Sequence, residues 1–247
     1  LARDLQNEQF IILLGLGLIF HLVELLLIFL VKSPKNSASY RDNPFTQVIS
    51  GVKAIRNAPT LLLLFMNFTL VFIAADSVYE AFNQPIFTNA GLPVVMIGVL
   101  YSVAAVGGFV ISQSVGWFTG QFSRKILMGV TGGLAATGLF LSAIFGEMLW
   151  VVIGAFFVLR LGQAIREPIY SQLKNDLIPS NIRATTLSLI SVLDSAFDLL
   201  IFGLLAFFAF SGVSGILLAS SFVALIGTFI PLQVKQKSMD TIEKKVI

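Results

Sequence analysis

A chain of 247 residues that is 56% hydrophobic and only 12% charged has too little polarity for a water-exposed surface, where about a quarter of residues are charged; its mean hydropathy of +0.90 points to lipid. With no Cys and a single His, disulfides, thiolate nucleophiles, cysteine metal sites and multi-histidine metal centres are excluded, and no metal or cofactor is expected. The net charge of +3 is gathered in particular loops and does not form a nucleic-acid-binding face, so no nucleic-acid partner is expected.

A bilayer core about 30 Å thick needs about 20 apolar residues per helix. Apolar runs of that order predict seven transmembrane helices, near 9–31, 59–82, 93–117, 126–145, 148–165, 185–210 and 213–234. The runs are continuous and not alternating, which favours helices over a closed barrel. Lys and Arg give the orientation, because positive loops stay in the cytoplasm. Lys32, Lys35, Arg41, Lys53 and Arg56 follow the first run, Arg124 and Lys125 the third, and Lys174 and Arg183 the fifth; Lys235, Lys237, Lys244 and Lys245 follow the seventh. The alternate loops 83–92, 146–147 and 211–212 contain no Lys or Arg. This places the C-terminus in the cytoplasm of a cell-membrane protein, with Leu1 outside.

The chain starts with Leu1, and residues 1–8 lack the layout of a signal peptide, so an upstream portion is expected. Residues 1–31 read as the last helix of an otherwise missing N-terminal bundle and 32–58 as a basic cytoplasmic linker loop. A complete six-helix bundle is expected over 59–234, and a cytoplasmic tail over 235–247. The expected fold is an all-α integral membrane protein of seven transmembrane helices, the last six forming one bundle.

Between the third and fourth runs lies Gly116-Trp117-Phe118-Thr119-Gly120-Gln121-Phe122-Ser123-Arg124-Lys125. It resembles the loop signature of the major facilitator superfamily, in the copy that the C-terminal half carries between its eighth and ninth helices. Gly116, Arg124 and Lys125 agree with that pattern. Gly120-Gln121 replaces the acidic-basic pair and Ser123 a Gly, so no charge relay is expected through the loop. Arg166-Glu167-Pro168, then Asn175, Pro179 and Arg183-Ala184-Thr185 leading to Ser188, resemble the connection from tenth to eleventh helix in drug-efflux-type members. The resemblance covers the chain as helices six to twelve of a facilitator-type transporter. It implies that the second and fifth runs line a central cavity, that the third and sixth face the other half, and that the first, fourth and seventh pack outside.

Charges inside membrane runs are costly and call for a partner, water or a role. Arg160 and Asp194 both fall near the midplane, where they are expected to pair or to meet substrate or a proton. Asp198 shares a helical face with Asp194 at i+4. Asp76 and Glu80 have the same spacing in the outer part of the second run; Asp76 is the cavity candidate and Glu80 a solvated rim residue. His21 and Glu24, three apart, form a hydrogen-bonded pair that could relay a proton. Arg166 and Glu167 are expected to snorkel at the inner interface as anchors and gate contacts, with the helix ending before Pro168. Gly116, Arg124, Lys125, Arg166 and Arg183 form the cytoplasmic gate loops. Gly129 and Gly133 read as a close-packing pair, and a few phenylalanines of the second and fifth runs are candidates for an apolar pocket.

The chain therefore reads as a non-enzymatic half of a secondary transporter, moving a small organic solute by alternating access in proton-coupled, multidrug-like efflux. Its expected partners are the solute, protons, the lipid bilayer and the missing N-terminal six-helix half. The alternatives are a seven-helix ligand-sensing receptor and a degenerate half-transporter serving as a membrane partner. A retinal receptor is excluded because the seventh run has no Lys.

Overall fold

The computed structural model describes residues 2–30, 44–178 and 180–232. The linker residues 31–43, Pro179 and the tail from 233 lie outside the described residues. All described secondary structure is helical, and the chain divides into two units, Leu1–Asp42 and Asn43–Ile247.

The first unit contains α1 (Ala2–Leu30), whose apolar stretch is Leu14–Leu30. No Pro interrupts it, and its described large apolar side chains are exposed. The second unit starts with a helix that hydropathy did not predict. Part of the expected linker loop forms α2 (Pro44–Asn57), which carries Lys53 and Arg56. Its Ile55 packs against a core of Leu61, Phe65, Ile178 and Ile190. An amphipathic stretch this polar has no run of apolar residues to betray it, yet the partly buried Ile55 gives it an apolar point of contact.

Among the described residues, six helical segments are long and apolar enough to cross a membrane, one fewer than expected because the apolar stretch of α1 is shorter: Pro59–Ala81, Val94–Gln113, Arg124–Ile144, Leu149–Leu177, Arg183–Ala206 and Ala209–Phe229. The first is composite, made of α3 (Pro59–Phe72), a π-helical turn (Ile73–Ser77) and α4 (Val78–Ala81). Pro59 opens α3 at a position where its missing N–H costs nothing. Two short helices, α5 (Asn83–Asn89) and α7 (Val115–Gln121), flank α6 (Val94–Gln113). Then come α8 (Arg124–Ile144), α9 (Leu149–Leu177), α10 (Arg183–Ala206) and α11 (Gly212–Phe229). Ser123 caps α8, accepting a hydrogen bond from the Ile126 N–H at 3.3 Å.

The expectation that the fifth run stops before Pro168 is corrected. α9 continues through Pro168 to Leu177, because its far end is held by packing: Ile169, Tyr170 and Leu173 are buried against Leu64, Phe68, Val115 and Met128. Tyr170 stacks on Phe68 with ring centroids 3.9 Å apart. Packing overrides the local penalty of a proline.

The core of the second unit forms where α3, α8, α9 and α11 meet. Leu139, Val152, Phe156, Leu217 and Ala224 are buried there with Val71 and Ala74. α3 and α8 bury more than half of their apolar windows, α6 and α10 the least. α8, expected on the outside, turns one face to α9 and α11 and leaves Ile126, Val130, Leu134 and Ile144 exposed. The close approach falls at Gly132 instead of Gly129 and Gly133, where an added methyl group would meet nothing within 4 Å. A Cβ on Gly132 would collide with the Thr228 side chain and sit 3.0 Å from Arg166 Nη1.

Candidate functional site

The charges gather where α3 gives way to the π turn. Such a turn inserts one extra residue, widens the backbone and rotates everything after it by about a quarter of a circle. It carries Asp76 itself and directs Asp76 and Glu80 towards α9. Arg160 of α9 donates from Nη1 to Asp76 Oδ1 at 2.6 Å, and its Nη2 lies 3.3 Å from Glu80 Oε2. The guanidinium also lies over the Tyr101 ring of α6, 4.8 Å from its centroid. Asn83 Nδ2 holds the Tyr101 hydroxyl at 2.8 Å. Asp76 and Arg160 are 17% and 25% exposed at their side chains, so the pair is only partly screened by solvent.

This corrects the expected Arg160–Asp194 pair. Thr69 of α3 donates from Oγ1 to Asp194 Oδ1 at 2.6 Å. Depth along the membrane suggested a pairing between α9 and α10, but α3 packs against both and takes each charge separately. Glu80, expected as a solvated rim residue, is exposed and is also the second carboxylate on Arg160. Asp198 is partly exposed, and its Oδ1 is buried with no hydrogen-bond partner among the described residues.

Beside the Asp76–Arg160 pair lies an open cavity of about 570 Å³. Phe72, Asp76 and Ser112 line it together with Arg160, Gln163 and Glu167. Ala164 and Pro168 complete the α9 wall. Of the phenylalanines considered for a pocket, Phe72 lines this cavity, whereas Phe65, Phe68 and Phe156 are buried.

Arg166 departs furthest from expectation. Instead of snorkelling, it is 1% exposed. Its Nη1 donates to the Met128 carbonyl and, at 3.4 Å, to Thr131 Oγ1. Its Nη2 donates to the Asn67 carbonyl at 3.0 Å and to Asn67 Oδ1 at 3.1 Å. Asn67 Nδ2 in turn donates to the Ile230 carbonyl at 3.0 Å. One guanidinium thus ties α3, α8 and α9 together and, through Asn67, the end of α11. The missed signal was Asn67 and Thr69, two polar side chains in an otherwise apolar run.

The remaining candidates lie elsewhere. Arg124 Nη1 donates to Asp176 Oδ2 at 3.3 Å, linking the start of α8 to the end of α9. Arg183 Nη2 donates to the Asn175 and Ile178 carbonyls, at 3.1 and 3.2 Å, satisfying acceptors at the α9 terminus. Gly116 and Lys125 are exposed. Within the first unit, His21 Nδ1 and Glu24 Oε2 are 3.3 Å apart on an exposed face.

The family model described as Major Facilitator Superfamily matches residues 9–197. The chain belongs to the major facilitator superfamily. The match spans both the Gly116–Lys125 loop and the stretch from Arg166 to Ser188, and six apolar helices with major facilitator membership make this a multi-pass membrane protein concerned with solute transport. Major facilitator members are transporters, which agrees with a non-enzymatic reading and favours neither the receptor nor the partner-only alternative. No curated protein and no solved structure matches the chain.

Proposed function

We propose that residues 59–234 form the C-terminal half of a secondary active transporter that moves a small organic solute by alternating access. The observation that carries this reading is an ion pair, Asp76–Arg160, opening on a cavity among helices apolar enough to span a bilayer. An intramembrane charge pair is expensive to keep and easily biased, which suits a site that changes partners between two states. In transporters of inverted-repeat architecture the solute site lies near the midplane, between two helical bundles. The sparsely buried faces of α6 and α10 supply surface for a second bundle, and the helix over 9–31 is assigned to that other half.

Coupling is assigned to protons. A proton taken up by Asp76 weakens its hold on Arg160 and leaves Glu80 as the remaining counter-charge, which changes the balance of the site without moving a helix. Asp194, steadied by Thr69, and Asp198, one oxygen of which has no partner among the described residues, are the next candidates for proton or solute contact. Multidrug-like efflux rests on the resemblance of the stretch from Arg166 to Ser188. A cell-membrane location with the C-terminus in the cytoplasm rests on the distribution of Lys and Arg.

The test is flux by the native full-length protein in liposomes under an imposed pH gradient, with ethidium as the reporter. The expected result is gradient-driven ethidium movement that a protonophore collapses. Flux unaffected by the gradient would remove the coupling, and no flux of ethidium or any of a panel of small solutes would remove transport.

A further inference from the structure

In the cavity that the transport reading assigns to the solute, Arg160 has no charge to spare. Asp76 and Glu80 both hold it, and Tyr101 covers one face of its guanidinium. Glu167 lies about two helical turns further along α9, on the same face. No cation stands within ion-pair distance of it among the described residues, and its side-chain hydrogen bond is a long one, from Gln163 Nε2 at 3.4 Å. The charged lining groups, Asp76, Arg160 and Glu167, sum to one negative charge.

The backbone adds a second, independent signal. Pro168 has no N–H, so the Ala164 carbonyl four residues earlier lacks its usual helical donor. Both residues line the cavity. A backbone acceptor without a donor inside an apolar helix must find one elsewhere. Among the described residues the α9 wall therefore offers a carboxylate with no ion-pair partner and a carbonyl without its usual helical donor, less than one turn apart along the helix, in a cavity that Phe72 also lines.

Resting on the transport reading, we infer that the solute carries a protonated amine, whose charge sits on Glu167 and whose N–H groups bond the Glu167 carboxylate and the Ala164 carbonyl. Its apolar body lies against Phe72. A quaternary ammonium brings the charge but no donor, and a neutral amide brings neither. Pro168 is thus a specificity-determining residue that acts by withholding an N–H.

The experiment is calorimetric titration of the purified full-length protein near neutral pH with three probes of one size: benzyldimethylammonium, benzyltrimethylammonium and N,N-dimethylbenzamide. The protonated amine should bind about tenfold more tightly than the quaternary ion, the worth of one charge-assisted hydrogen bond, and the amide should bind weakest. Glu167→Gln should weaken both cations about tenfold or more. Pro168→Ala supplies the missing N–H to Ala164, and should narrow the gap between the two cations while leaving the quaternary ion's affinity in place. Equal or tighter binding of the quaternary ion overturns the inference, as does cation binding indifferent to Glu167→Gln. An amide that binds as well as the amine overturns it too, yet leaves the transport reading intact. Failure of all three probes overturns it whatever the flux, and only loss of flux as well removes the transport reading.

Discussion

Arg160 meets two carboxylates and two aromatic rings, whereas Arg166, six residues on, hydrogen-bonds only to neutral oxygens. The difference separates a site that can change from one that is built to stay. Arg160→Ala leaves Asp76 without its cation in a partly dry setting. A loss of about 2 kcal/mol is expected, less than the ~3–5 kcal/mol for a fully buried pair, together with loss of gradient-driven flux. Glu80→Gln removes an exposed partner and should cost under about 0.5 kcal/mol. Thermal unfolding of the detergent-solubilised variants beside the flux assay checks both; an Arg160→Ala protein that transports normally would take the pair out of the mechanism. Arg166→Met should cost about 3 kcal/mol, since it strands the Met128 and Asn67 acceptors in the core. Gly132→Ala, which pushes on the same guanidinium, should also destabilise. A melting temperature unchanged by either would deny Arg166 its tying role.

At the scale of the helix, two irregularities place the site. One is the π turn at Ile73–Ser77, which sets the rotation of Asp76 and Glu80 relative to Phe72 and Thr69. Deleting Ala74 restores α-helical spacing and turns the downstream carboxylates about 100° from their present direction. In that background Asp76→Asn should have no further effect on flux or stability; a retained effect would mean that the turn does not aim the carboxylate. The other is the proline that α9 carries without ending. Both escape a reading by apolar runs, because a π turn leaves no mark in hydropathy and a proline reads as a stop. The six long apolar helices, by contrast, were legible, the run at 59–82 becoming Pro59–Ala81 and that at 126–145 Arg124–Ile144, whereas the polar α2 was not.

For the whole molecule, the ends differ in charge. Arg56, Arg124, Lys125, Lys174 and Arg183 lie at one end of the six-helix unit, Glu80 and Glu147 at the other. These 247 residues contain no Cys, so a single cysteine placed among them reports sidedness once any cysteine elsewhere in the full-length protein is replaced by Ser. With Glu147→Cys, a membrane-impermeant maleimide should label intact cells, and with Lys125→Cys only permeabilised ones. The reverse pattern would invert the proposed topology.

Hydropathy is a sum over neighbours along the chain, and a helix long enough to leave water is specified by its own residues. The apolar spans, the basic loops between them and the presence of costly intramembrane charges were therefore all legible in one dimension. Which charge meets which was not. Arg160 finds Asp76 rather than Asp194, and Arg166 turns inward rather than towards the interface. Those outcomes depend on the lateral order of the helices and on rotation about their axes, set by α3 lying between α9 and α10 and by a single extra residue in its π turn. Such quantities belong to packing, where a contact between residues 67 and 166 or 76 and 160 has no counterpart in any local window of the chain.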